Sequence, residues 1–244
     1  MISFLCALQF LTLFPPLVKR QFTPRELGGS VAFYPLVGLL IGGILFGTNL
    51  LLGSFFPPAV RSALVLTIWI ALTGALHLDG FLDSMDGLFG GFTPTKRLEI
   101  MRDERIGAFG FAAGSLLLLL KFSALTGLSG ANPALILIPM FSRWGISLAV
   151  GVFPYGRDQG LGRMIKDNLR QGDLWLAAGL VLAVGWLLMG WTGIITAGFV
   201  AASVWLIGVF ILRKVPGMTG DLYGAINEII EIIFLILASG GWLL

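Results

Sequence analysis

The segment from His77 to Gly87 contains three aspartates whose spacing suits metal-assisted phosphate chemistry. Asp79, Asp83 and Asp86 follow one another at intervals of four and three residues. In an α-helix these intervals bring the side chains to one face, because successive residues are about 100° apart. Three carboxylates on one face repel one another, and a hard cation with oxygen ligands, above all Mg²⁺, offsets that repulsion. Because Mg²⁺ usually completes its shell with water and substrate phosphates, the segment predicts a magnesium site for phosphoryl chemistry.

A solvated helix extension, with each aspartate paired to a nearby Lys or Arg, is the alternative interpretation. It is the weaker one, because acids at the rim of a membrane span are costly and tend to be functional. His77, the one histidine of the sequence, lies about 200° from Asp79 on such a helix and so points away from the aspartates. We interpret it as a hydrogen-bonding residue rather than a ligand or a base.

The sequence after the aspartates combines acids with arginines. Thr93 can cap a helix that starts at the following proline, and the pattern predicts that this helix continues to Arg105. On it, Glu99 and Asp103 are four residues apart, and Arg102 and Arg105 are three apart. The helix therefore has an acidic edge and a basic edge, for which surface salt bridges are an equally good explanation.

Two glycines favour a binding site over surface salt bridges. Gly107 and Gly110 follow directly where the chain enters the next apolar stretch. Glycine allows a close approach to the backbone, which a pyrophosphate site beside arginines requires. We therefore predict that Arg102 and Arg105 contact a diphosphate and that residues 79–106 form one carboxylate and arginine segment.

The last apolar stretch begins with a third acidic motif. Asp221 and Glu228 are seven residues apart, and Glu231 lies three further on, so a continuous helix puts them on one face. Glu228 and Glu231 have no cation near them in sequence, and an unpaired buried carboxylate costs several kcal/mol. A metal ion, an arginine from another helix or a raised pKa is therefore required, unless these acids snorkel to the membrane rim.

The composition places these motifs in a membrane protein. Hydrophobic residues make up 57% of the 244 residues and charged residues 12%, about half the usual share of soluble domains. Seven apolar stretches come close to the roughly 20 residues of a membrane-spanning helix. They are residues 31–53, 60–78, 107–130, 133–153, 174–191, 193–212 and 225–244. The sequence predicts an all-α, polytopic membrane bundle that forms a single catalytic domain over residues 1–244.

Residues 1–30 precede the first span and need an interpretation of their own. Residues 1–18 are apolar, but Pro15 and Pro16 interrupt them, and Lys19 and Arg20 follow. A signal peptide has a similar pattern, but no small-residue cleavage site follows this stretch. We predict a helix that lies at the membrane interface or re-enters the membrane. Cys6 is the only cysteine, which excludes a disulfide scaffold.

The charges orient the seven predicted spans. With residues 1–30 in the cytoplasm, 13 of the 16 basic residues fall on that side, as the positive-inside rule requires. The same rule accounts for the small net charge of +3 without nucleic-acid binding. All 13 acidic residues also fall in cytoplasmic segments or adjoining span ends, which topology rules do not require. The pattern predicts a polar chamber at the cytoplasmic face.

Four motifs together resemble the cobalamin synthase family, the adenosylcobinamide-GDP ribazoletransferases. They are His77-Leu-Asp-Gly-x-x-Asp-x-x-Asp-Gly87, Glu99-Ile-Met-Arg-Asp-x-Arg-Ile-Gly107, Gly160-Leu-Gly162, and Thr219-Gly-Asp-x-x-Gly-Ala225 with Glu228. The resemblance covers nearly the whole chain in order, length and hydropathy. It is far more specific than any one of the motifs.

The resemblance implies a bacterial inner-membrane enzyme that requires Mg²⁺ and joins the two halves of a cobamide. In such enzymes α-ribazole or its phosphate attacks the cobinamide-linked phosphorus of adenosylcobinamide-GDP, and GMP leaves. The chemistry parallels that of the CDP-alcohol phosphotransferases. However, Asp83-Ser84 stands where the motif of that family has Ala-Arg, so its ligand assignments and lipid substrates are not carried over.

Roles for individual residues follow from the resemblance and the chemistry together. The predicted magnesium ligands are Asp79, Asp83 and Asp86. Residues predicted to complete the metal shell or accept the proton of the nucleophile are Asp103, Asp221 and Glu228, and the sequence leaves open which one does so. The predicted substrate-binding residues are Arg102, Arg105, Gly107, Arg143 and Arg157.

A cation- or proton-coupled transporter is the main alternative function, since acids in membrane spans often mark ion pathways. Transporters usually bind their substrates near the bilayer midplane, between repeated halves. Here the acids cluster at one end of the spans and the two halves are unrelated. A structural membrane subunit is a third alternative, in which single acids could be neutralised with little loss. The sequence leaves open homo-oligomerisation, the lower base of the product, and the choice between α-ribazole and its phosphate.

Overall fold

The computed structural model describes residues 1–128 and 132–242, and over these ranges the chain is helical with no β-strand. The α-helices are α1 Ile2–Leu11, α2 Pro24–Ser30, α3 Tyr34–Gly53, α4 Pro58–Thr73, α5 Leu76–Gly90, α6 Pro94–Ile100, α7 Ala108–Gly127, α8 Ala134–Val152, α9 Leu161–Asn168, α10 Gln171–Met189, α11 Trp191–Leu212 and α12 Gly220–Ser239. The predicted all-α architecture is confirmed. The last residues of two predicted spans, 129–130 and 243–244, lie outside the described ranges.

Six helical segments of the described chain are long and apolar enough to cross a membrane. They are Pro24–Gly53, Ala108–Gly127, Ala134–Val152, Gln171–Met189, Trp191–Leu212 and Gly220–Ser239. The first of these joins α2 and α3 through a short 3₁₀ turn and is 30 residues long. These segments confirm six of the seven predicted spans and make the chain a multi-pass membrane protein.

The predicted span over residues 60–78 is different in the structure. Helix α4 ends at Thr73, and Gly74 and Ala75 both adopt left-handed conformations, with φ angles of 59° and 57°. A left-handed residue after the last helical turn terminates a helix, and α5 then leaves at an angle of 88° to α4. Residues 76–78 therefore belong to the aspartate helix, and only α4 and α5 together reach the length of a span.

The N-terminal segment is a short helix followed by a strap of extended chain. Helix α1 has 10 residues, too few for the roughly 20 that a full span requires. The strap folds back on it, because the side-chain amide of Gln9 exchanges two hydrogen bonds with the backbone of Val18, at 2.8 and 3.2 Å. The amide of Leu13 donates to the carbonyl oxygen of Leu72 at 2.9 Å, which attaches the strap to the end of α4.

Helices α8 and α12 form the centre of the bundle, and most of each is buried. Helix α3 packs closely on α8 because Gly38 and Gly42 face the backbone of Pro139 and Ile136, where a Cβ atom would collide. Small residues at such crossings let membrane helices approach closely. Helix α5 packs against α12 on another side, and this second contact forms the site described below.

The polar connections gather at one end of the bundle. Arg25 of α2 makes a two-pronged salt bridge to Asp173 of α10, at 2.5 and 2.7 Å. Lys166 donates to the last carbonyl groups of α8 at 2.5 and 3.0 Å, and Lys214 donates to the carbonyl oxygen of Leu88 at 3.3 Å. If successive spans cross the membrane in opposite directions, the span ends that these contacts join all lie on the same side of the membrane.

Candidate active site

The crossing of α5 and α12 depends on two glycines of the predicted motifs. A Cβ atom on Gly80 would lie 2.9 Å from the carbonyl oxygen of Asp221, and one on Gly224 would lie 3.0 Å from that of His77. A side chain at either position would therefore push the helices apart. The glycines allow the aspartate of α5, Asp79, and that of α12, Asp221, to face the same space.

A short pairing of two loops brings an arginine to this crossing. Met218 and the segment around Tyr155 form an isolated parallel bridge, in which the amide of Gly156 donates to the carbonyl oxygen of Met218 at 2.7 Å. The loop continues into Arg157, whose Nη2 donates to Oδ2 of Asp221 at 2.8 Å. The two loops are far apart in sequence, so this ion pair could not be predicted from local spacing.

These elements enclose a cavity of about 290 Å³. Its polar lining includes Asp79, Arg157, Asp221, His77, Tyr155 and Tyr223. Gly160 and Gly162 of the third motif also line it, and a Cβ on Gly162 would collide with the ring of Tyr155. Residues of three of the four sequence motifs thus line one cavity.

The charges around the cavity are unbalanced. Asp83 lies one helical turn after Asp79 on α5 and is half-buried; it does not itself line the cavity, but the negative charges of Asp79 and Asp221 both act on it, with Arg157 as the opposing positive charge. We call Asp79, Asp83, Asp221 and Arg157 the cavity cluster. Within the described chain, Asp79 and Asp83 make no side-chain hydrogen bond or salt bridge, so their repulsion is offset only in part.

The third aspartate of the helix, Asp86, has a different environment. Its two carboxylate oxygens accept hydrogen bonds from the backbone amides of Gly107 at 2.7 Å and Gly110 at 2.8 Å. These amides belong to the first turn of α7, where the helix dipole favours a negative charge. A Cβ on either glycine would collide with the carboxylate. The space that we expected to hold a pyrophosphate is filled by Asp86, and the amide of Gly107 is already engaged.

The segment after α6 departs from the predicted helix. The cap is confirmed, since the hydroxyl of Thr93 accepts from the amide of Lys96 at 3.2 Å. However, α6 ends at Ile100 and residues 101–107 are irregular, so the prediction of a helix to residue 105 is wrong. Asp103 and Arg105 are instead paired on an exposed loop, at 2.8 Å between Nη2 and Oδ2. The carboxylate of Asp103 also accepts from the backbone amide of Arg105 at 3.1 Å, which closes a turn just after the helix.

Hydrogen bonds from Arg105 lower the pKa of Asp103 to about 2. The other arginine of this loop, Arg102, is exposed and does not line the cavity. Burial raises the pKa of Tyr155, and the positive charges of Arg157 and Arg102 oppose that rise. Of the two arginines that were predicted to contact a diphosphate, Arg102 is therefore the one whose charge acts on a cavity residue, Tyr155.

A second charged group lies inside the bundle and is separate from the cavity. Lys121 of α7 contacts Glu228 and Glu231 of α12, each at 2.5 Å, and Arg143 of α8 contacts Glu231. We call these four residues the buried network. Arg143 is 1% exposed and Glu231 is fully buried. The cation that the sequence required for the two glutamates is thus supplied by an arginine from another helix, together with a lysine.

Two residues predicted at the active site belong to this network. Glu228, a predicted catalytic residue, and Arg143, a predicted substrate-binding residue, do not line the cavity. His77 connects the two groups, because it lines the cavity and its Nδ1 lies 3.4 Å from Nη2 of Arg143. The sequence placed His77 away from the aspartates, but it lines the same cavity as Asp79.

Comparison with known proteins identifies the family. A sequence model described as cobalamin-5-phosphate synthase matches residues 3–239. The chain belongs to this family. Proteins named adenosylcobinamide-GDP ribazoletransferase from Desulfitobacterium hafniense and Stutzerimonas stutzeri are 43% and 40% identical to it. The alignments cover 94% and 97% of this chain and 93% and 97% of the relatives. No solved structure matches the chain.

Sequence reasoning missed three residues of the site and its surroundings. Lys121 was placed within a span but given no partner, although a lysine in an apolar helix signals a buried counter-ion. Tyr155 and Tyr223 both line the cavity and carry no signal in the sequence beyond their closeness to the glycine motifs. Membership of the cobalamin-5-phosphate synthase family does not by itself single out any of the three.

Proposed function

We propose that the chain is a Mg²⁺-dependent transferase that joins adenosylcobinamide-GDP to α-ribazole, or its 5′-phosphate, with release of GMP. The family makes it an enzyme of cobalamin synthesis, and the names of its relatives give the donor and the ribazole transfer. The observation that carries the proposal is the cavity at which Asp79, Asp221 and Arg157 meet.

The donor set of the cavity cluster fits a magnesium ion. Its carboxylates carry the oxygen ligands that Mg²⁺ prefers, and within the described residues only Asp221 among them is paired with a cation, Arg157. Over those residues no three acid, His or Cys side chains form a ready-made metal site. A Mg²⁺ ion bound here would therefore take few ligands from the protein, and water and substrate phosphate would complete its shell.

We assign the ion to Asp79 and Asp83 and leave Asp86 out of the ligand set. Asp86 is buried and both of its oxygens accept backbone hydrogen bonds, so it positions the start of α7. When bound, the ion neutralises negative charge on the diphosphate oxygens of the donor.

The transfer itself is a displacement at phosphorus. An oxygen of a ribose hydroxyl that is free in both α-ribazole and its 5′-phosphate forms a bond to the cobinamide-linked phosphorus while the bond to the bridging oxygen breaks, and GMP leaves with that electron pair. The hydroxyl proton passes to a carboxylate. Of the three predicted acceptors, Asp221 lines the cavity, whereas Glu228 lies in the buried network and Asp103 on the exposed loop.

Contacts around Asp221 suit this role. Its Oδ2 accepts from Arg157 at 2.8 Å and from the hydroxyl of Thr219 at 3.2 Å, which fixes the carboxylate and leaves Oδ1 for the proton. Arg157 is also placed to bind a phosphate oxygen of the donor, and a guanidinium can hold both groups because its donors form a planar fork. We propose that Arg102, whose charge acts on Tyr155 of the cavity, extends this phosphate site from the loop.

We further propose that the protein lies in the bacterial inner membrane with the cavity on the cytoplasmic side. The loops that form the cavity belong to the polar end of the bundle described above. Nucleotide substrates are found in the cytoplasm, and the positive-inside rule places the basic loops there. A cysteine introduced at residue 97 or 166, in a Cys6→Ser background, should then resist an impermeant reagent added outside cells, and one at residue 55 should react.

The direct test is GMP release by the protein purified in detergent and supplied with adenosylcobinamide-GDP, α-ribazole and Mg²⁺. We expect one GMP per cobamide formed, loss of activity with a chelator, and recovery when excess Mg²⁺ is added. Arg157→Lys should lower the rate, and Arg163→Lys is the matched control because Arg163 pairs with Asp167 on the surface. No GMP release, or release that is unaffected by the chelator, would contradict the proposal.

A further inference from the structure

The cavity combines two kinds of lining that come from different helices. Its charged residues belong to α5, α12 and the loop after α8. Its apolar and aromatic residues from α1, α3 and α8 are Phe10, Leu11, Tyr34, Ile146 and Val150. Binding pockets for small organic molecules have this character, with a mainly apolar wall and a few polar groups that fix orientation.

One polar group of the wall has no partner. Tyr223 lines the cavity and is 7% exposed, and within the described residues its hydroxyl makes no hydrogen bond. Buried hydroxyl groups nearly always form a hydrogen bond, so we expect this one to form a hydrogen bond with a bound molecule. Its ring stacks with that of Tyr155 at 6.3 Å between centroids, which holds the hydroxyl in place and adds a second aromatic surface.

The size of the cavity limits what it can hold. Its volume of about 290 Å³ is at the lower end of the roughly 300 to 1,000 Å³ of pockets for drug-sized ligands. One nucleoside is of that size, whereas a corrin macrocycle with its side chains and nucleotide is several times larger. The two substrates therefore cannot both lie inside.

We propose, on the basis of the proposed function, that this cavity is the subsite for the acceptor nucleoside. The aromatic base of α-ribazole lies against the apolar wall, and the Tyr223 hydroxyl forms a hydrogen bond with the nucleoside. The ribose hydroxyl then faces the cavity cluster. The corrinoid donor stays outside the cavity and presents only its diphosphate to Asp79 and Arg157.

A substitution that fills the cavity with a larger side chain tests this assignment. Val150→Phe adds a ring at a lining residue that is 2% exposed, and Val152→Phe makes the same change on the outer face of α8, where the residue is 54% exposed. We expect Val150→Phe to raise the KM for α-ribazole at least tenfold and to leave the KM for adenosylcobinamide-GDP unchanged. Val152→Phe should change neither. A rise for the donor alone, or for neither substrate, would overturn the assignment.

A smaller change avoids the risk that Val150→Phe does not fold. Tyr223→Phe removes only the hydroxyl and should raise the KM for α-ribazole by roughly three- to tenfold, as expected for one lost hydrogen bond. Ile146→Ala shortens a side chain of the apolar wall and so enlarges the cavity. It should improve turnover of a nucleoside with a bulkier base relative to turnover of α-ribazole. An unchanged KM in Tyr223→Phe together with unchanged base preference in Ile146→Ala would contradict the proposal.

Equilibrium binding of labelled α-ribazole, without donor, separates this inference from the proposed function. Wild-type protein should bind it, and Val150→Phe should not. If the protein binds α-ribazole in this way but releases no GMP from the donor, the subsite stands and the proposed reaction fails. If GMP is released but binding and KM are indifferent to the cavity variants, the reaction stands and the subsite assignment fails.

Discussion

The cavity cluster and the buried network are both groups of acids with basic partners, and helix α12 contributes to both. Its first turn supplies Asp221 to the cavity, and later turns supply Glu228 and Glu231 to the network. In the network two glutamates meet one lysine and one arginine and are almost fully buried. In the cavity cluster three aspartates share one arginine and part of the group is open to solvent.

Charge balance therefore distinguishes the two groups better than residue type does. Charges inside a membrane bundle must be paired, because an isolated buried ion is very costly, and the network meets this requirement with protein groups alone. The cavity cluster does not, so it has capacity for a cation and for the polar groups of a substrate. We therefore expect the buried network to stabilise the fold and the cavity cluster to take part in the reaction.

The largest effect should come from a carboxylate of the cavity cluster. Asp79→Asn keeps the size of the side chain and removes its charge, so we expect GMP release to fall roughly 10³-fold or more, about 4 kcal/mol at 1.4 kcal/mol per tenfold. The melting temperature in detergent should stay the same or rise slightly, because repulsion with Asp83 is relieved. Asp158→Asn, on the exposed part of the adjacent loop, is the control. Near wild-type turnover in Asp79→Asn would remove the cluster from the reaction.

Breaking the buried network should act on stability instead. Lys121→Met leaves Glu228 without its basic contact and Glu231 with only Arg143, and removing one partner from a buried ion group costs about 3 kcal/mol or more. The double variant with Glu228→Gln restores the balance of one acid and one base, so it should be more stable than Lys121→Met alone. Unfolding in detergent mixtures measures this. Lost turnover in folded Lys121→Met, with unchanged stability, would instead place the network in the reaction.

Asp86 should behave as a helix cap rather than as a metal ligand. Asp86→Asn removes the charge that both Gly107 and Gly110 contact, and the loss of such a cap is worth about 1 to 2 kcal/mol. We expect a lower melting temperature with an unchanged Mg²⁺ concentration for half-maximal activity, measured per folded molecule. A raised Mg²⁺ requirement without a change in stability would return Asp86 to the ligand set.

The smallest effect is expected for the exposed pair of Asp103 and Arg105. The pKa of Asp103 is lowered to about 2, so any stability that the pair contributes is present above the unfolded pKa of about 4 and is lost only as the pH falls towards 2. Because an exposed ion pair contributes little to stability and Asp103 stays ionised between about pH 5 and 9, Asp103→Asn should leave the melting temperature nearly unchanged and the shape of the pH–rate profile in that range unchanged. A shifted profile would show that Asp103 takes part in proton transfer.

The sequence predicts local features of this fold well. Six spans, the helix that carries Asp79, Asp83 and Asp86, and the cap at Thr93 follow from hydropathy, helical spacing and capping preferences, which act over a few residues. The break between α4 and α5 was missed because hydropathy stays high across residues 60–78 and one glycine in an apolar run is a weak signal. The end of α6 at Ile100 was missed because the pairing of Asp103 with Arg105 competes with the helix.

Contacts between distant segments could not be predicted in the same way. Asp86 meets the start of α7, Lys121 meets Glu228, and Arg157 meets Asp221. These contacts depend on how the helices pack, and one sequence contains no record of that packing. The close approach expected at Gly107 and Gly110 is present, but the group that approaches is the carboxylate of Asp86 rather than a pyrophosphate.

Binding of Mn²⁺, which shares the preference of Mg²⁺ for oxygen ligands, tests the contrast between the two groups most directly. Electron paramagnetic resonance of the purified protein reports free and bound Mn²⁺ without any substrate. We predict that Asp79→Asn and Asp83→Asn weaken binding at least tenfold, whereas the charge-balanced double variant Lys121→Met, Glu228→Gln binds as the wild type does. Full binding in both aspartate variants, or loss of binding in the double variant, would contradict the assignment of the metal to the cavity cluster.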